Sequence, residues 1–476
     1  MSAYRPTIAI VGAGASGVLA ALHLLDSPGP PIGLLLVDRS GKAGRGVAFS
    51  TESRSHLLNV PASSMSAFER DPGHFVRWLG GKGFANAQDD FIPRSLFGQY
   101  LGETLLSWAH LRERNDVVEI ARDDVVDIDF GPAGGPALVF AGRQPADVDA
   151  VVLATGILPT RWPRGLEHWQ DHERCISDPW RLEVMDQIGP AATVTLLGTG
   201  LTAVDVLLAL AEKGHHGSIR AISRHGLLPR AHLSGRQPDP MIETTHLDQG
   251  DRRARLLLHQ LRSAVNEEEA LGGDWRAVVD MLRPDTQDLW QSLPPEEQVR
   301  FRRHAERFWN VHRHRMAPAV AEQVHQLRDS GIFRSFPGRV VAIEPSELAL
   351  QLQVKLPSIE RPYRWETDWL VNCTGPSTFA FSEDQTLAQN LRRRGLARPG
   401  HLDAGIGTDS GGRVLSVAGE PIEWMWALGS LRQGQLLETT AVPEIRSQAL
   451  QVASAARQWL APKAGGPAST VVAMAG

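Results

Sequence analysis

One local pattern occurs twice in the sequence, and the repetition narrows the folds open to it. Near the start, the apolar run Thr7-Ile8-Ala9-Ile10-Val11 leads into Gly12-Ala13-Gly14-Ala15-Ser16-Gly17 and an Ala/Leu-rich stretch over residues 18–25. Far downstream, Ala192-Thr193-Val194-Thr195-Leu196-Leu197 leads into Gly198-Thr199-Gly200-Leu201-Thr202-Ala203 and a second apolar stretch over residues 204–212. A short apolar run reads as a buried parallel strand, a glycine cluster as a tight turn, and the stretch behind it as a helix. Each unit closes with another strand, Gly33-Leu34-Leu35-Leu36-Val37-Asp38 in the first and Ile219-Arg220-Ala221-Ile222-Ser223-Arg224 in the second. Two βαβ units predict an α/β chain with two Rossmann-like dinucleotide-binding domains. A length of 476 residues, too great for one ordinary domain, agrees.

The two turns differ in ways that bear on chemistry. Gly12, Gly14 and Gly17 form G-x-G-x-x-G. The first makes the turn, the second admits a pyrophosphate to the backbone, and the third lets helix and strand pack closely. The phosphates then sit at the helix start, at Ala15 and Ser16. Asp38 follows about twenty residues on, at a strand end, where an acid binds ribose hydroxyls. FAD is expected there. In the second unit, Gly198, Gly200, Leu201 and Thr202 repeat the turn, but Ala203 replaces the third glycine and the closing strand ends in Ser223-Arg224-His225. An Arg at that position pairs with a 2′-phosphate that an Asp would repel, which favours NADPH over NADH.

The rest of the chain is organised around these units. Residues 39–90 are irregular and include Gly44-Arg45-Gly46-Val47-Ala48-Phe49 and His56-Leu57-Leu58-Asn59-Val60-Pro61; structureless stretches of that length are usually functional loops. A helix is expected over 96–112, antiparallel strands over 117–130 and 137–141, and a buried strand over 150–156 that ends in Thr155-Gly156. Several helices are expected over 249–330, then strands over 338–343 and 348–354, and one over 369–375 that ends in Thr374-Gly375. The expected boundaries are an FAD domain of 1–165 and 336–460, an NADPH domain of 180–248, a helical insert of 249–335 as substrate pocket or lid, and a disordered tail of 461–476. Near the end, Glu438-Thr439-Thr440-Ala441-Val442-Pro443-Glu444 reads as a helix start, with Thr439 or Thr440 as its cap. Placed under a flavin, such an end would stabilise negative charge on the reduced ring.

Several classes are disfavoured. A net charge of -5 gives no support for nucleic-acid binding. No apolar run is long enough to span a bilayer, and the first six residues lack a secretory apolar stretch, so a cytoplasmic protein is expected. Cys175 and Cys373 are the only cysteines and form no C-x-x-C pair, which argues against a disulfide reductase. No His/Cys/Asp/Glu set has metal-ligand spacing, and no G-x-S-x-G elbow is present. The run Trp309-Asn310-Val311-His312-Arg313-His314-Arg315 could hold an acidic substrate, but reads more simply as a helix with Arg in solvent and Trp309 in a core.

With these residues in view, the chain resembles a bacterial family of FAD/NAD(P)-binding flavoproteins related to flavin-dependent N-hydroxylating monooxygenases. Some relatives oxidise an amino-acid amine through to nitroso or nitro products. The shared motifs are the Gly-rich start, Gly44-Arg45-Gly46, His56-Leu57-Leu58-Asn59-Val60-Pro61, Phe91-Ile92-Pro93-Arg94, Gly198-Thr199-Gly200-Leu201-Thr202, Ser223-Arg224 and Glu438-Thr439-Thr440-Ala441-Val442-Pro443, over most of the chain from Thr7 to about Gln451. The resemblance implies an NADPH-consuming monooxygenase: hydride reduces the flavin, O2 adds at C4a, and the hydroperoxide hydroxylates a small amine or amino acid. Arg45, Gly156, Gly429, Thr439 and Thr440 join the cofactor contacts on this reading. Asn59, Pro93 and Arg94 fall near the isoalloxazine and substrate, although Arg94 could equally serve an interdomain ion pair. A Baeyer–Villiger fingerprint is not matched by Gly165-Leu166-Glu167-His168-Trp169, and Ser430 stands where many such flavoproteins carry an Asp. Two rivals stay open: an NADPH-dependent reductase or electron-transfer protein without oxygen insertion, and an FAD-binding redox sensor without turnover. A homo-oligomer is compatible with either.

Overall fold

The computed structural model describes residues 4–112, 116–132, 134–242, 252–357, 359–382 and 385–462. Two mainly parallel sheets organise them. The first has six strands in the order Arg413–Leu415, Pro421–Ala427, Ala150–Leu153, Thr7–Val11, Gly33–Asp38 and Val117–Arg122, parallel except for the outermost pair at the Arg413 edge. Its central strands are apolar throughout because both faces are covered. Ile8, Ile10, Leu34 and Leu36 pack under helices Ala15–Asp26, Arg94–Arg112 and Val442–Leu460. Ala9, Val11, Leu35 and Val37 face the antiparallel layer of Val125–Phe130 and Pro136–Phe140.

The second sheet has five parallel strands in the order Phe333–Pro337, Ile219–Ser223, Val194–Leu197, Trp369–Asn372 and Cys175–Ile176. Helices Leu201–Glu212 and Pro318–Asp329 cover one face, and the meander Arg339–Pro345, Leu350–Lys355 and Tyr363–Thr367 covers the other. The α/β class with two dinucleotide-binding sheets is as expected.

Two details differ from expectation. Val117–Arg122 is a parallel edge strand of the first sheet, not part of the antiparallel layer, because Val118 and Ile120 pack against the first core beside Gly33–Asp38. Strands Phe333–Pro337 and Trp369–Asn372 belong to the second sheet and the meander between them packs on its face, so a first domain resuming at 336 is too early. The run Trp369-Leu370-Val371-Asn372 finds its hydrogen-bond partner in Val194–Leu197, where both of its faces are buried. The two Thr-Gly strand ends feed one structure: Leu158–Thr160, after Thr155-Gly156, pairs antiparallel with Pro376–Ser377, after Thr374-Gly375. That ribbon carries the chain between the sheets.

The insert is helical, with Ala254–Ala270, Trp275–Met281, Thr286–Ser292, Pro295–His304 and Glu306–Arg313 around a small core of Trp290, Leu293, Phe301 and Ala305. Its expected start at 249 lies outside the described residues, as do 463–476 of the expected tail. No described helix is long and apolar enough to cross a membrane.

Candidate functional site

The first turn forms because a side chain would not fit it. Gly12 has φ +102°, and a Cβ there would stand 2.2 Å from the Ala154 carbonyl oxygen. A Cβ on Gly17 would stand 1.9 Å from the Gly12 oxygen, so the third glycine sets how closely helix and strand approach. The Gly44-Arg45-Gly46 loop crosses over this turn, with the Gly44 amide donating to the Ala13 carbonyl at 2.8 Å. Asp38 is fixed beside it: one carboxylate oxygen accepts the Ala13 amide (3.0 Å), the other the Ser40 amide (2.8 Å) and hydroxyl (2.6 Å).

A cavity of about 550 Å³ opens on the turn. Gly12, Gly14, Ala15, Ser16 and Asp38 line it, and so do Arg45, Gly156, Ser430, Thr439 and Thr440. Sequence-predicted residues from Gly12 to Thr440, 428 positions apart, thus share one surface. Gly429 lies just behind; its backbone comes so near the Ser16 side chain that a Cβ would meet the hydroxyl at 2.9 Å. Thr439 and Thr440 do not cap the following helix. Ala441 is its N-cap, without a side-chain bond, and Pro443 occupies the first turn. The threonines border the cavity instead, beside Ile445 of that first turn.

The second turn repeats the first with one difference. Gly198 has φ +118°, and a Cβ would stand 2.3 Å from the Cys373 oxygen. Around Gly200 there is open space, with nothing within 4 Å of a built Cβ. Ala203 is buried at the start of helix Leu201–Glu212, so this helix tolerates the methyl that Gly17 excludes. Thr202 borders a small cleft with His56 and Asp205. Ser223 meets Thr199 hydroxyl to hydroxyl at 2.8 Å, and Arg224 stands exposed beyond the strand end, lining a cavity of about 580 Å³.

Arg94 and Asn59 lie at the joint between the sheets and do not line the first cavity. Arg94 bridges to Asp205 of the second turn's helix through both terminal nitrogens (2.6 and 3.1 Å), and its Nε donates to the Leu57 carbonyl. Asp205 is buried and Arg94 only partly exposed, so the guanidinium expected near the flavin ties one domain to the other. His56 strengthens the joint, donating from Nε2 to the Asp205 carbonyl (2.9 Å) while Nδ1 meets Thr51 (2.7 Å). The Asn59 carbonyl accepts from His232 Nε2 at 3.0 Å. Burial, with the Arg315 cation nearby, pushes His232 down to about 4, so it is neutral at physiological pH.

Asp205 and His232 were missed by sequence reasoning. An acid in the middle of the apolar run Leu201–Glu212 was the available signal for Asp205, since a buried carboxylate needs a partner. Nothing local marks His232 among 17 histidines. Arg313 does not follow the reading of a helix with Arg in solvent, since it is buried and pairs with Glu438 at 2.8 Å, whereas Trp309 packs against the insert's core as expected and donates to the same carboxylate at 3.1 Å. Burial pushes the Cys175 thiol up to about 12 and raises that of Cys373 as well, which leaves both unreactive. Among the described residues no cluster could hold a metal ion.

Residues 9–158 match a family model described as FAD-NAD(P)-binding. No curated protein matches the chain in sequence. Solved structures match over nearly the full length. The ornithine N-hydroxylase of Kutzneria sp. 744, solved with reduced FAD, NADP+ and L-ornithine, is 15% identical at a TM-score of 0.68, covering 96% of this chain and 99% of that one. The L-lysine 6-monooxygenase of Pseudomonas syringae is 15% identical at 0.66, covering 96% and 100%. The FAD-bound cadaverine monooxygenase of Erwinia amylovora is 14% identical at 0.64, covering 99% and 98%. At these identities the likeness is one of fold.

Proposed function

Taking as premise an FAD/NAD(P)-binding match over residues 9–158 on the fold shared with amine-hydroxylating flavoproteins, we propose that this chain is an FAD-dependent, NADPH-consuming monooxygenase acting on the amine of a small amine or amino acid. The observation that carries the proposal is the pairing of two unlike turns in one molecule. One opens on a cavity with an acid at the ribose position; the other ends in an exposed Arg. Both fit a dinucleotide, since Gly12 and Gly17 leave no room for a side chain and Gly200 faces open space.

Bound FAD would supply the two-electron chemistry, taking hydride from the nicotinamide and passing electrons to O2. The chain's own part is placement. Asp38 accepts the ribose hydroxyls of the FAD, and the Ala15 and Ser16 amides meet its pyrophosphate. Thr439 and Thr440 approach the other end, where the helix start at Val442 favours negative charge. Gly200, Leu201 and Thr202 hold the second pyrophosphate, and Arg224 the 2′-phosphate. Arg94 acts as a positioning residue through Asp205, keeping the two nucleotides in reach of each other. Asn59, whose side chain makes no hydrogen bond among the described residues, is the proposed polar contact for the substrate.

The three similar structures are of enzymes named for ornithine, lysine and cadaverine, which supports an amine substrate. The experiment is anaerobic reduction by NADPH, then oxygen in the presence of a panel of amines and amino acids, following NADPH, peroxide and N-oxygenated product. One amine should draw electrons from peroxide into product. Peroxide equal to the NADPH consumed with every amine would leave the reductase alternative in its place.

A further inference from the structure

Beyond Arg224, three elements converge where the adenosine end of the second nucleotide would lie. Strand Ile219–Ser223 ends beside strand Phe333–Pro337, with Ser223 in register with Pro337. The chain turns at Gly338, whose amide donates to the Ser223 carbonyl at 2.8 Å, and enters the antiparallel pair in which Arg339 stands directly opposite Lys355. Any Cβ at Gly338 would meet the Lys355 carbonyl oxygen at 2.8 Å, so the hairpin is held tight against the strand end. Arg224, Arg339 and Lys355 line the same cavity of about 580 Å³.

The charge there is unbalanced. Like charges directly opposite in an antiparallel pair destabilise a sheet, yet Arg339 and Lys355 are so placed. None of the three cations makes a salt bridge or side-chain hydrogen bond among the described residues. Glu360 is the one acid lining the described cavity. Glu306, half-buried near Arg224, is a second acid, which still leaves the three cations in excess. The cavity lies beyond the carboxyl ends of parallel strands, where nucleotides bind in such sheets.

We propose that Arg339 and Lys355, with Arg224, form a three-cation clamp for the 2′-phosphate of NADPH, so that cofactor choice depends on the meander hairpin as well as on the strand-end Arg. The inference rests on the reading of the second turn as an NADPH site. A 2′-phosphate carries nearly two negative charges and three acceptor oxygens, enough for all three cations.

Binding of adenosine 2′,5′-bisphosphate and of adenosine 5′-monophosphate, together with anaerobic flavin reduction by NADPH and NADH, tests it. Lys355→Met and Arg339→Met should each weaken the bisphosphate and NADPH by about tenfold, roughly the loss of one charge-assisted contact. The monophosphate and NADH should be unaffected, and Lys355→Arg should retain wild-type binding. Flavin content and melting temperature report whether each variant is folded. Should Arg224→Ala abolish the NADPH preference while Lys355→Met and Arg339→Met leave it intact, the clamp is overturned and the NADPH site stands. Should the wild type bind both nucleotides equally, the NADPH reading and the clamp fall together.

Discussion

At the scale of single residues, the two turns separate packing from binding. The first turn has no room at Gly17, where a Cβ would lie 1.9 Å from the Gly12 oxygen, whereas Gly200 has nothing within 4 Å. Gly17→Ala should force helix and strand apart at about 1–3 kcal/mol and yield protein purified without flavin. Gly200→Ala should purify yellow and melt like the wild type, but its reduction by NADPH should need at least about tenfold more nucleotide. Wild-type NADPH dependence in that variant would contradict a pyrophosphate at Gly200. His232 provides a pH test. Its folded pKa of about 4 lies below the ordinary histidine value of 6.5, so the unfolded chain binds the proton more readily. Its contribution is complete above pH 6.5 and is lost as pH falls toward 4, by roughly 3 kcal/mol in all. Denaturant titrations from pH 8 to 4 should show that decline, and His232→Gln should flatten it. The glycines and Asp38 were legible in the sequence because a few adjacent residues fix both the turn and its acid. His232 was not, because its state depends on burial and on two neighbours distant in sequence, the Asn59 carbonyl and the Arg315 cation.

At the scale of elements, strands and helices could be read wherever burial on both faces leaves a plain apolar run. Thr7–Val11, Gly33–Asp38, Val194–Leu197 and Ile219–Ser223 all stand close to their expected places. Val117–Arg122 was misread because its alternating burial suits either an antiparallel layer or a parallel edge, and only its neighbour Gly33–Asp38 decides between them. Contacts between elements were still less legible. Arg94 and Asp205 are 111 residues apart, and neither one alone says that the start of helix Arg94–Arg112 grips helix Leu201–Glu212. That grip predicts a specific pattern. Arg94→Met leaves Asp205 charged and buried and should cost about 3–5 kcal/mol, whereas Arg94→Met with Asp205→Leu should regain most of it. If the double variant also recovers reduction by NADPH and product formation, Arg94 works by positioning. A stable double variant that is reduced normally but makes no product would place the guanidinium in the chemistry itself.

At the scale of the whole molecule, the question is whether the helical insert is a lid or a wall. The two-domain plan followed from the repeated turn, but the extent of the second domain did not, since no composition change marks where the chain leaves one sheet for the other. The insert carried no cofactor motif, only the Trp309–Arg315 run, and what it does has to be read from what it touches. Gln287 donates to the Glu438 carbonyl (2.7 Å), Arg302 to that of Gln433 (2.5 Å), and Arg313 to the Glu438 carboxylate, while Arg283 holds Glu444 at 2.7 and 2.9 Å. All these acceptors lie within residues 433–444, the segment that carries Thr439 and Thr440 to the first cavity. A lid should rest on few, solvent-exposed contacts, whereas Arg313 and Glu438 are only 4% and 2% exposed. These buried contacts favour a fixed wall over a lid, and on the proposed reading the flavin end of the cavity depends on that wall. Arg313→Met would strand the Glu438 carboxylate without its charged partner, at about 3–5 kcal/mol. The displaced segment should then loosen Thr439 and Thr440, so the variant should melt lower, lose FAD on gel filtration and release more peroxide per NADPH. Pairing it with Glu438→Leu removes the stranded charge and should restore the melting temperature. An Arg313→Met protein that keeps its flavin and melts like the wild type would mean that the insert is held elsewhere and is free to open.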